Sequence, residues 1–285
     1  MQHALSTFGL ANTRLTTVWL ERIQAAHLPL VEFFCARQHL DYRDRAQINE
    51  LGHWFRDSEL KLHSVQAPLF SDDVWGRSGP NAVINLTEPV KSKRLAMTDE
   101  IKRALEIAEV IPFRYLIQRL GVAGEEYDER KVDSAFTALE EISLFAKQRG
   151  VEVLLENGPN RLSTPERLLH FNEATHLNLN FCFDVGSANL TPEGVEGGFR
   201  LMKTGIRSTQ LSDNNGREDQ HLLPLWPAGG TVNWRRMMHL FRGAEGAFPL
   251  VMEPRDLGDP ANTLQQVRKT FDQLEEMRPL EEEHF

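Results

Sequence analysis

Residues 151–157 read VEVLLEN, residues 179–186 LNFCFDVG, residues 206–213 IRSTQLSD and residues 248–254 FPLVMEP. Each stretch carries a short, largely apolar run and then an acidic or amide residue: Glu156, Asp184, Gln210 and Glu253. Short apolar runs bounded by turn chemistry read as buried strands. A polar residue where strand after strand gives way to a loop is the pattern of an α/β barrel, whose strand ends converge on one mouth. Oxygen ligands arriving from separate strands are also what a hard divalent cation needs.

The pattern extends outward in both directions. Further strand candidates are His3–Phe8, Leu30–Phe34, Leu60–Ser64 and Arg114–Ile117, beside Glu152–Leu155, Leu179–Phe183, Ile206–Leu211 and Leu250–Met252. Between them lie amphipathic stretches at helical spacing, such as Leu15–Ala26, Arg45–Asp57, Asp99–Glu109, Val132–Arg149, Thr164–Asn172 and Thr263–Met277. Asp44, Thr98 and Ser163 or Thr164 with Pro165 are expected helix starts, and Gly150 an expected C-terminal cap. Strands alternating with helices over 285 residues predict a (β/α)8 TIM barrel in one domain, 1–285. A doubly wound sheet would want a glycine-rich phosphate turn after the first strand, and no G-x-G-x-x-G occurs. The turn-rich segment Gln66–Lys93 follows the third strand on the mouth side and is a candidate lid, or a plain surface excursion.

Composition narrows the function. The net charge of -9 gives no general attraction for nucleic acid or anionic membrane. No apolar run approaches a transmembrane span, and no secretory signal is visible. The two cysteines, Cys35 and Cys182, sit in or beside apolar runs and read as buried hydrophobes. A cytoplasmic location is the expectation.

The phrases LHSVQAP (62–68), YLIQRLG (115–121), VLLENGP (153–159), FDVGSAN (183–189), STQLSDNNGREDQHLLP (208–224) and VMEP (251–254) together resemble the xylose-isomerase-like TIM-barrel superfamily. That superfamily holds sugar isomerases and epimerases and the type 2 AP endonucleases. Its pattern carries histidine at places where this chain has Gln66, Arg119, Ser187 and Gln210. Glu156, Asp184, Asp219, His221 and Glu253 remain. The multinuclear zinc site of the endonucleases is not expected, because zinc wants several nitrogen or sulfur donors and Arg119 brings a permanent positive charge. DNA-repair hydrolysis is the remote alternative.

The isomerase and epimerase members imply one divalent ion on Glu156, Asp184, Gln210 and Glu253, an oxygen-donor set suited to Mn²⁺ or Mg²⁺. Glu156 and Glu253 would then take and return a proton through an enediolate. His63, Arg217, Asp219 and His221 are candidates for recognising hydroxyl groups. Trp75 and Trp226 are candidates for stacking on a sugar face. A small-molecule sugar or polyol is the implied partner, and the strand-three loop and last helix are the surfaces expected in any homodimer. The competing reading is a barrel of altered or no chemistry that binds a small ligand, in which Arg119 pairs with Glu156 in the metal's place. Blander readings weigh on single residues: a strand-end glutamate often serves a structural hydrogen bond, and His221 can cap a loop. Glu32 is open between facing the mouth and pairing with an arginine.

Overall fold

The computed structural model describes residues 1–225, 229–244, 248–255 and 259–277. Strands form where apolar and β-branched residues stand between turns: β1 (His3–Ser6), β2 (Leu30–Phe34), β3 (Lys61–Gln66), β4 (Tyr115–Arg119), β5 (Glu152–Glu156), β6 (Asn180–Asp184), β7 (Ile206–Gln210) and β8 (Leu250–Met252). They pair in the order β7-β6-β5-β4-β3-β2-β1-β8. The sheet then curls towards closure, because Leu211 pairs in parallel with Met252. The Leu211 amide donates to the Val251 carbonyl at 2.7 Å and the Glu253 amide to the Leu211 carbonyl at 3.0 Å. The helices between strands are α1 (Thr17–Ala25), α2 (Arg45–Arg56), α3 (Lys91–Leu105), α4 (Glu129–Lys147), α5 (Pro165–Thr175), α6 (Val185–Ala188), α7 (Gly194–Met202), α8 (Trp234–Arg242) and α9 (Pro260–Glu276). This is a nearly closed (β/α)8 barrel. No helix among the described residues is long and apolar enough to cross a membrane.

Helix boundaries follow local chemistry. The Asp44 side chain accepts from the Ala46 and Gln47 amides to open α2, and Thr164 accepts from Arg167 to open α5 ahead of Pro165. Each such cap stabilises by about 1 kcal/mol. Helix α4 buries Ser134, Ala135, Ala138, Leu139, Ile142 and Ala146, a stripe at three-to-four spacing. Truncating a buried leucine such as Leu139 costs about 2–5 kcal/mol.

Some boundaries differ from the sequence-based expectation. Helix α3 begins at Lys91, and Thr98 is buried inside it rather than capping it. Its first turns, KSKRLAM, are rich in exposed charge and carry little apolar period. Strand β1 ends at Ser6, where the Ser6 hydroxyl accepts from the Phe8 amide and the chain turns into a 3-10 segment, Thr7–Leu10. Helix α8 opens on the Asn233 side chain and buries Trp234, Met237, Met238 and Phe241. Its Arg236 donates to Glu196 at 3.0 Å.

Alternation along the strands divides two cores. Leu116, Val153, Leu155, Phe181 and Phe183 pack towards the helices. Tyr115, Ile117, Leu154 and Cys182 form a separate cluster within the barrel. With a period of two, the next inward positions on β4, β5 and β6 are Arg119, Glu156 and Asp184. Strand β3 carries a bulge: Val31 pairs with Leu62 but Glu32 with Ser64, leaving His63 as the extra residue.

Candidate functional site

The carboxyl ends of the strands bring Ser6, Glu32, Ser64, Gln66, Glu156, Asp184, Gln210 and Glu253 into one buried polar layer. Arg119 reaches it from β4 with a quarter of its side chain exposed, whereas Glu156 and Asp184 are 0% and 1% exposed. The Arg119 guanidinium grips Glu156 Oε1 through Nε at 2.6 Å and Nη2 at 2.5 Å, and Nη2 stands 3.8 Å from Asp184 Oδ2. Gln66 Nε2 donates to the other Glu156 oxygen at 2.6 Å. Ser187 takes both oxygens of Asp184, its amide on Oδ1 at 3.1 Å and its hydroxyl on Oδ2 at 2.6 Å.

Gln210 crosses the barrel. Its Nε2 lies 2.9 Å from Glu32 Oε1, 2.9 Å from Gln66 Oε1 and 3.3 Å from Glu253 Oε1. Three oxygen neighbours fix the amide with its nitrogen inward. Ser64 donates to Glu32 Oε2 at 2.7 Å, and Ser6 to Glu253 Oε1 at 3.2 Å. Glu253 Oε2 and Gln210 Oε1 are buried without a hydrogen-bond partner among the described residues.

His221 completes the layer from the loop after β7. Its backbone sits in the left-handed region, φ 48°, a conformation that costs energy outside glycine and is held by its surroundings. Nδ1 lies 3.2 Å from the Glu253 carbonyl and 3.5 Å from Glu253 Oε2, and Nε2 lies 3.3 Å from Asp219 Oδ1. Acceptors on both sides suit the doubly protonated imidazolium. The loop is fastened by Asp213. Its Oδ1 accepts from the Thr231 and Val232 amides at 2.9 and 3.1 Å, and its Oδ2 from Trp234 Nε1 at 2.7 Å.

Burial is the largest influence on these charges. It raises Glu32 to about 7, partly offset by the Ser64 and Gln210 hydrogen bonds. It raises Asp184 to about 6, with the Glu156 charge adding to it. Glu253 is pushed well above the usual carboxylate range by burial, then by Glu32 and Glu156, against the pull of His221 and Arg119. Burial also works against the His221 imidazolium, yet the Asp219 carboxylate 3.3 Å from Nε2 and the charges of Glu253 and Asp184 lift it to about 9. Asp219 ends lower than usual: burial opposes ionisation, but the nearby His221 imidazolium outweighs it.

This donor set does not fit a divalent ion. The oxygens of Glu156 and Asp184 are taken by Arg119, Gln66 and Ser187, and Gln210 turns its nitrogen towards Glu253. Among the described residues, no group of three or more His, Cys, Asp or Glu side chains is placed to hold a metal. A double charge 4 Å from a guanidinium would be repelled by about 8 kcal/mol at an effective dielectric of about 20.

The other candidate residues lie elsewhere. His63 sits at the β3 bulge with Nε2 3.1 Å from the Ser208 hydroxyl and its ring against Tyr115. Trp75 packs edge-on to Phe8, Phe34 and Phe70, and Phe8 in turn meets the His221 ring at 4.7 Å. Arg217 is exposed on a turn whose amides bond Asn215. Trp226 lies outside the described residues. The sequence reading passed over Ser6, Ser64 and Asn157. Asn157 clamps β5 to β6, donating to the Asp184 carbonyl at 2.9 Å and accepting from the Asp184 amide at 2.8 Å. The -Glu-Asn- pair at the end of β5 was the available signal for it.

A protein of Methanocaldococcus jannaschii described as uncharacterised, MJ1311, is 35% identical over 103 residues, which are 34% of this chain and 35% of that one. The chain spans about a third of that relative. A D-tagatose 3-epimerase-like protein superposes with a TM-score of 0.73 at 22% identity, covering 97% of this chain and 99% of that one. The IolI protein, solved with a bound zinc atom, superposes with a TM-score of 0.75 at 14% identity over 96% of each chain. At these identities the likeness to solved structures is one of fold. The profile of the xylose isomerase-like TIM-barrel family matches residues 20–276, and this chain belongs to that family.

Proposed function

We propose that the mouth binds a sugar or polyol and moves a proton on it, as an isomerase or epimerase does, with Glu253 as the proton carrier. The observation that carries the reading is the state of Glu253. One of its oxygens is held by Ser6 and Gln210, while the other is buried without a partner beside the His221 imidazole. Burial holds the Glu253 carboxyl well above the usual carboxylate range, so it keeps a proton more readily than a solvated carboxylate, which suits returning a proton to carbon as well as taking one. Glu156 serves differently from the paired-base expectation: with both oxygens engaged, it is an anchor for Arg119. Asp219 keeps His221 charged, and the imidazolium supplies positive charge to an oxygen turning negative. Phe8 and Trp75 give the His221 side an apolar wall suited to a sugar face. Sugar epimerase-like structures among the fold's neighbours support the same class.

The test is incubation with a panel of aldoses, ketoses and polyols in D₂O, read by NMR for C–H exchange and new isomers. Exchange that is lost in Glu253→Gln supports the reading, and full exchange in that variant sinks it. The tightly satisfied state of Glu156 and Asp184 favours a second reading, a small-ligand-binding barrel without turnover. Saturable sugar binding without exchange would select it.

A further inference from the structure

We propose that Arg119 is the resident cation of this mouth: it does the charge-balancing work of a divalent ion, and its free edge donates to an oxygen of the ligand. The ligand's class rests on the reading above; the cation's identity does not.

The residues standing where the family resemblance expects imidazoles all act as donors. Gln66 and Arg119 donate to Glu156, Ser187 to Asp184, and Gln210 to Glu32 and Glu253. The carboxylates that the resemblance assigns to a metal are hydrogen-bond acceptors here, each with a neutral or cationic partner from this chain on at least one oxygen. The guanidinium stands between Glu156 and Asp184. It cannot lose its proton, so its charge is as permanent as a metal's.

Its geometry also leaves it available. Nε and Nη2 are turned to Glu156, while Nη1 has no hydrogen-bond partner among the described residues. The side chain is a quarter exposed where its carboxylate partner is fully buried. The charged edge therefore opens on the mouth, where a carbonyl or hydroxyl oxygen can accept from it.

The experiment is calorimetric titration of the chelator-dialysed protein with MnCl₂ and ZnCl₂, alongside elemental analysis of the protein as purified. The expected result is no stoichiometric metal, no saturable heat up to millimolar ion and a Tm unmoved by EDTA. Binding of about one ion per chain that disappears in Glu156→Gln would overturn the proposal. Arg119→His tests the same point from the other side. Replacing the cation with an imidazole is expected to create metal binding at least about tenfold tighter than the wild type's, about 1.4 kcal/mol. A folded Arg119→His, checked by circular dichroism, that binds metal no better than wild type counts against the proposal. Should that variant not fold, the wild-type titration and the EDTA melt decide alone. None of these readouts needs a substrate. Sugar turnover abolished by EDTA would sink this proposal and leave the sugar reading standing; a metal-free protein inert towards every sugar would do the reverse.

Discussion

Gln210 on β7 donates across the barrel to Glu32 on β2 at 2.9 Å, although 178 residues separate them in the chain. The same nitrogen reaches Gln66 and Glu253, so one amide joins strands β2, β3 and β7 to the residue just after β8. Gln210→Leu keeps the volume and removes the donor, leaving buried acceptors unmade at about 1–3 kcal/mol. We expect a loss of at least about 2 kcal/mol by denaturant unfolding. Gln210→Glu places a further carboxyl between Glu32 and Glu253. Its cost is expected to be larger at pH 8 than at pH 5, because a buried carboxyl stabilises least once it must ionise. Equal losses at both pH values would contradict the arrangement.

Arg119 and Glu156 are expected to be strongly coupled. Arg119→Met leaves a buried carboxylate without its counterion, at a cost of about 3–5 kcal/mol. Adding Glu156→Gln removes the orphaned charge, so the double variant is expected to be more stable than Arg119→Met alone. A double-mutant cycle by chemical denaturation reads the coupling directly. Additive effects would mean the pair is not formed in solution.

His39 and His63 set an acid limb. Burial lowers each to about 4, with the Arg114 charge helping at His63 and the Thr13 and Leu10 carbonyls opposing at His39. The unfolded chain therefore binds the extra proton first as pH falls from about 6.5 to about 4. The stability present above 6.5 is lost through that window, by up to about 3 kcal/mol per imidazole. Glu32 and Asp184, raised to about 7 and 6, act in the opposite sense there: the folded protein keeps their protons and loses stability as pH rises. Comparing wild type with His63→Gln isolates the imidazole. The wild type's advantage is expected to shrink from pH 6.5 to pH 4, as followed by Tm.

Asp213 holds the loop that carries Asp219 and His221. Asp213→Ala removes the acceptor of three loop amides, those of Asn214, Thr231 and Val232, and of the Trp234 indole N–H. We expect a loss of about 3 kcal/mol and faster limited proteolysis between Asn214 and His221. Cleavage at the wild-type rate would show that the loop is held by other contacts.

Much of the frame was legible in the chain. The strand cores of β2 and β8 match their expected bounds, and the Asp44 and Thr164 caps act where the residues stand. These features are local: apolar period, turn residues and caps act within a few positions of one another. Helices α7 and α8 went unread although WRRMMHLFR carries Trp234, Met237, Met238 and Phe241 at three-to-four spacing; at 9 residues each they are short, and a pattern that covers only about two turns is easily passed over.

Sequence alone determined the barrel, the family resemblance and the convergence of Glu156, Asp184, Gln210 and Glu253 on one mouth. It also raised a pairing of Arg119 with Glu156 as one alternative. Tertiary structure decided what those groups do. Only closure of the sheet brings Gln210 to Glu32, turns Gln66 onto Glu156, and leaves one Glu253 oxygen without a partner. Hydrogen-bond partners and burial are properties of side chains that meet from distant strands, and a strand's own residues encode the direction a side chain points but not what waits there.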